Sequence, residues 1–119
     1  MKQERMRSRK ILDELMSFCF KVGVKDIHVD FKDGEENVMI HVEGKSQEIP
    51  IEELENLKSL LQVQRQDQIE GYYWGLAGEN DHYQELPLVG MMIDEADVQY
   101  DNQQLNITVY RNKENLPPQ

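Results

Sequence analysis

The chain predicts a two-layer α+β sandwich: a mixed or antiparallel sheet of about four to five strands with helices on one face. Three observations carry this. Near the N-terminus apolar residues recur at offsets of three and four, the period of a half-buried helix. Two later segments alternate apolar and polar residues and each folds back at a polar turn. The elements follow as helix, two strands, helix or helices, two strands, which suits helices layered on one side of a sheet.

The first helix is expected over Glu4–Val22, where Ile11, Leu12, Leu15, Met16, Phe18, Cys19 and Val22 make a wide apolar stripe. Gly23 is its natural stop. Ile27, Val29 and Phe31 then alternate with His28, Asp30 and Lys32, and Val38, Ile40 and Val42 with Met39, His41 and Glu43. Asp33-Gly34 marks the turn between these strands, so one face of the hairpin is expected to be apolar and packed. A loop over Asp33–Glu36 would set Lys32 opposite Asn37 and His28 opposite His41. Two histidines one strand apart, with Asp30 or Glu43 in reach, are a transition-metal candidate. Exposed pairs of this kind are mostly incidental, and no metal is expected.

Pro50 opens a second amphipathic helix through Ile51, Leu54, Leu57, Leu60 and Leu61, extending to Ile69, with Glu52, Glu53 and Glu55 favouring its N-terminal dipole. The segment GYYWGLAG, residues 71–78, holds three of the nine aromatic residues. Its Gly71, Gly75 and Gly78 fit neither a phosphate loop nor a dinucleotide fingerprint. Tyr72, Tyr73 and Trp74 therefore have two readings, core filling beneath a loop or partner-binding anchors, and they are the candidate partner contacts. After a polar loop containing His82, a short helix is expected over Leu88–Ile93. A second hairpin follows, with Ala96, Val98 and Tyr100 on one strand, Leu105, Ile107 and Val109 on the other, and a polar loop of about four residues between them.

The length of 119 residues suits one domain, 1–111, with a tail over 112–119 that Pro117 and Pro118 keep from extending a strand. The net charge of −10 argues against nucleic acid as the main partner. Five of the 13 Lys and Arg residues fall in the first ten positions and read as a solvated, basic helix start. No apolar run approaches the ~20 residues of a membrane span. Met1–Lys10 leads into an amphipathic segment and not an apolar signal core, and Cys19 is the single cysteine, so a cytoplasmic protein without disulfides is expected. Cys19, between Phe18 and Phe20, reads as a buried small hydrophobe.

Glu14 to Gly23, ELMSFCFKVG, is similar to the N-box of the histidine-kinase/anti-sigma-factor (GHKL) ATPase fold, E-L-x-x-N-A-x-x-H-G. The end of the second strand, Val42 to Gln47, stands where that family carries D-x-G-x-G, and Glu85 to Leu88 where it carries G-x-G-L. The order of elements over residues 7–111 resembles the same fold. The residues that would hold ATP differ at all three places. Phe18 replaces the Asn that helps hold Mg²⁺, and a phenyl ring offers no oxygen to a hard cation. The second motif reads Glu43, Gly44, Lys45, without its second glycine. In the third, Pro87 has no N–H for a phosphate and Glu85 adds negative charge.

What the resemblance implies is a non-catalytic protein-binding or regulatory module, without cofactor, whose partner is a protein, a second copy included. In the family the first helix contributes to such contacts. The alternative is a divergent anti-sigma-type serine/threonine kinase using Glu14 as base and Glu43 on adenine. A small α+β protein unrelated to this family is the second alternative. No other catalytic constellation is present: neither H-E-x-x-H nor C-x-x-C occurs, and the Asp94, Glu95, Asp97 group straddles a helix end and a strand.

Overall fold

The computed structural model describes residues 2–62 and 86–113. In chain order the elements are α1 (Lys2–Lys21), β1 (His28–Asp33), β2 (Asn37–Lys45), α2 (Ile51–Leu61), α3 (Leu86–Met92), β3 (Glu95–Asp101) and β4 (Gln104–Asn112). Tyr72, Tyr73 and Trp74 lie outside the described residues, as do His82, Glu85 and residues 114–119 of the expected tail, whose first residue, Asn112, instead ends β4.

The architecture is α+β. Among the described residues four strands form one antiparallel sheet in the order β1-β2-β4-β3. Strand alternation sends Val38, Ile40 and Val42 of β2 and Leu105, Ile107 and Val109 of β4 to one face, where all are buried. The helices cover that face with Ile11, Leu15, Phe18 and Cys19 of α1, Leu57 and Leu61 of α2, and Leu88, Val89 and Met92 of α3. Each such aliphatic side chain withdrawn from water contributes roughly 1.5–3 kcal/mol. The opposite face, with His41, Glu43, Asn106 and Thr108, is polar and open.

α1 ends as its sequence requires. Gly23 takes φ +93°, Gly23 N–H donates to Phe20 O (3.1 Å) and Val24 N–H to Cys19 O (2.9 Å), the paired bonds of a Schellman stop. Ser46 Oγ donates to Val22 O (2.6 Å), so the residue just past β2 caps the same helix end from outside. At α2, Pro50 stands just before the first helical residue, with its carbonyl accepting from Glu53 N–H (3.0 Å). Glu53 also meets Lys21 Nζ at 3.3 Å, tying the start of α2 to the end of α1.

Four expectations change. The β1–β2 register is two residues away from the expected one: His28 pairs with Glu43, and His41 with Asp30. A slip of two preserves which face each side chain occupies. Asp33 is fixed at the strand end by Lys113 Nζ (2.6 Å), and Gly34 N–H closes on Asn37 O (2.9 Å). His28 and His41 therefore do not face each other.

Second, the apolar side of β1 is not packed: Val29 is 42% and Phe31 38% exposed. α1 packs on β2 and α2 on β3, and among the described residues no helix packs on β1 in the same way. Third, the second hairpin turns on two residues, Asn102 and Gln103, both at positive φ (52° and 65°), where about four were expected. Fourth, the short helix begins at Leu86 and takes Pro87 into its first turn, where a missing N–H costs the helix nothing.

Candidate functional site

The uncovered strip beside β1 is built by two elements. On α1, the residues Arg5, Arg9, Leu12, Met16 and Phe20 recur at offsets of three and four and follow one flank, next to the stripe that enters the core. Leu12 and Met16 are partly buried against the core, and Phe20 is 57% exposed. On β1, Val29 and Phe31 point to the helical side of the sheet, while His28, Asp30 and Lys32 point to the open side. The outer side of β1 has no strand partner among the described residues. The exposed apolar side of β1 is about 20 Å long, the span of a six-residue strand, and at its far end it forms a groove against Arg5, Ser8 and Arg9 of α1.

At its Asp33 end the groove deepens into a cavity of about 390 Å³. Arg5, Ser8 and Arg9 of α1 line it, with Phe31 and Asp33 of β1, Val38 of β2, and Lys113 just past β4. The Lys113 ammonium beside Asp33 holds its carboxyl below the usual range, chiefly by the hydrogen bond it donates, with Arg5 adding to the field. Ser8 is 2% exposed, and its Oγ has no hydrogen-bond partner among the described residues.

Glu14, Phe18 and Glu43, which the sequence picked out, fall elsewhere. Glu14 is buried in the helical layer, 3.3 Å from Lys10 Nζ. Phe18, where the resembling family has its metal-holding Asn, is a core residue. Glu43 is on the open face of the sheet, so the structure does not bring Glu14 and Glu43 together. A broader cavity of about 1070 Å³ opens near Glu43, His28 and Gln104. Both Glu43 oxygens are engaged: Gln104 Nε2 donates to Oε2 (2.7 Å), and His41 Nε2 lies 3.3 Å from Oε1. A carboxylate only accepts, so His41 Nε2 carries the proton, and in the neutral ring Nδ1 accepts from Thr108 Oγ1 (2.7 Å). Among the described residues no three His, Cys, Asp or Glu side chains are grouped to hold a metal ion.

Cys19 is fully buried, and burial pushes its thiol from 9.0 up to about 11. The native state keeps the neutral thiol while the unfolded chain ionises earlier. The stabilisation this group contributes is therefore complete below pH 9 and is lost as pH rises from 9 to about 11. Denaturant titrations of wild type and Cys19→Ala should show a stability gap that narrows across that window. A constant gap would refute the assignment.

Sequence reasoning missed Arg5, Ser8 and Arg9 because the basic start reads as solvated. The available signal was the second stripe, in which Arg5 and Arg9 continue the line of Leu12, Met16 and Phe20. Among the described residues no helix is long and apolar enough to cross a membrane. Comparison with protein-family models and with curated proteins finds no match to this chain.

Proposed function

We propose that this chain is a non-catalytic protein-binding or regulatory module of the cytoplasm, similar in element order to the histidine-kinase/anti-sigma-factor ATPases but without their means of holding a nucleotide. The observation that carries the reading is the β1 edge: apolar side chains stand exposed on a strand whose outer side has no strand partner among the described residues, the arrangement that strand-adding partners use. The opposite edge, β3, is different, since α2 packs beneath it. Support also comes from Glu14 being paired with Lys10 inside the helical layer and from Glu43 facing away from it, which leaves the two acids of the kinase reading without a common substrate. Tyr72, Tyr73 and Trp74 remain proposed as a second contact on composition alone.

Calorimetric titration with Mg²⁺-ATP and with ADP tests this. No saturable heat and no thermal stabilisation are expected at millimolar nucleotide. Saturable, Mg²⁺-dependent binding that Glu43→Ala weakens would restore the kinase reading.

A further inference from the structure

We propose that the cavity at the Asp33 end of the groove is an anion pocket, and that it seats the carboxylate of an acidic residue ending an otherwise apolar, extended segment of a partner protein. This rests on the docking reading above and specifies its partner. Three features converge. The first is Ser8, a residue lining the cavity, whose buried hydroxyl has no hydrogen-bond partner among the described residues. A helical serine ordinarily donates to a carbonyl one turn back, and an orphaned buried hydroxyl is costly.

The second is charge. Arg5 and Arg9 stand one turn apart, a spacing at which like charges repel. Neither forms an ion pair among the described residues. Asp33, the one carboxylate among the described residues that line the cavity, is engaged by Lys113 at 2.6 Å. Among the described residues the cavity thus holds three cations against one anion, in a chain of net charge −10. A carboxylate between the two guanidiniums would relieve their repulsion and accept their N–H groups.

The third feature fixes what carries the anion. Phe31 and Val38 line the same cavity, and beyond it Val29 continues the exposed apolar side of β1. An inorganic anion would leave that strip wet. An extended segment would pair its backbone with the outer side of β1 and send alternate side chains down onto Val29 and Phe31. An anionic membrane surface fits poorly, because the acidic body of the chain is repelled by it.

The test uses hexapeptides of alternating isoleucine and threonine fused to a soluble carrier, ending in glutamate, glutamine or lysine and made in both chain directions. The full chain is titrated against each at low and high salt. In at least one direction the glutamate form should bind at least tenfold tighter than the glutamine form, with the lysine form weakest. The pair Arg5→Gln and Arg9→Gln should erase that preference, and Ser8→Ala should weaken the glutamate form alone. Equal binding of all three peptides would overturn the anion pocket and leave the docking reading standing. Binding of none would overturn both the pocket and the β1 groove. A concentration-dependent dimer that Phe31→Asp dissolves would give the groove to a second copy and also overturn the proposal.

Discussion

Gly44→Ala is expected to destabilise the fold by about 3 kcal/mol, the upper end of what one added methyl does in a packed interior. Gly44 lies in β2 opposite Leu105, on the face turned toward the helices. A Cβ there would stand 2.3 Å from Val24 Cγ1 and 2.7 Å from Asp26 O. The first contact is with a side chain and the second with backbone. The chain at Val24 is not able to retreat cheaply, because its N–H makes the bond to Cys19 O that closes α1. Gly44→Ala thus forces a choice between displacing β2 from β4 and opening the end of α1. Denaturant unfolding should show the midpoint falling without a change in slope, and thermal unfolding should drop by roughly 10 °C. The double variant Gly44→Ala, Val24→Ala separates the two contacts: it relieves the first and leaves the second, so it should remain less stable than Val24→Ala alone. A loss below about 0.5 kcal/mol in Gly44→Ala would show that the Val24–Asp26 segment yields freely.

Gly44 also shows where the sequence was informative and where it was not. As a residue it read only as the surviving glycine of a lost nucleotide motif. The structure gives it a packing role, which depends on a segment 20 positions away and has no local signature. The element order was legible because period two and period 3.6 are properties of neighbouring residues, and Val38, Ile40, Val42 and Leu105, Ile107, Val109 all went inward as their alternation required. Val29 and Phe31 alternate equally well and stayed exposed, because burial also depends on what lies above a strand. The placement of α1 over β2 is a tertiary fact. The register slip has the same origin, since Lys113, remote in sequence, sets the end of β1. The groove was illegible for that reason: its apolar side comes from a strand that looks like ordinary core, and its basic end from a segment that looks like ordinary solvated helix.

Arg111→Met is expected to cost about 3 kcal/mol, as does removal of a buried, hydrogen-bonded charge elsewhere. Arg111 is 1% exposed and among the largest fully buried side chains of the described residues. It stands on the inner face of β4 opposite Val38, and its guanidinium donates to Met92 O at 2.7 Å, the last residue of α3. α3 has no basic residue in its own last turn. Its negative C-terminal end therefore meets a positive charge supplied from the sheet, in a site too dry for water to take over. The neighbours of Arg111 hold the same junction: Asp94 N–H donates to Tyr110 O (2.8 Å), and Asn112 N–H to Asp94 Oδ2 (2.6 Å). Methionine keeps much of the volume and none of the donors, so the loss should appear first where α3 meets β3. Hydrogen exchange should accelerate in α3 and around Asp94 well before it changes in the central β2–β4 pair. Arg111→Lys should recover only part of the stability, since an ammonium is a more strongly hydrated point charge without the planar fork. The effect should persist in high salt, because screening reaches surface pairs far more than buried ones. Uniform acceleration across the whole sheet, or a cost below about 1 kcal/mol, would mean that Arg111 fills space and that the end of α3 is held without it.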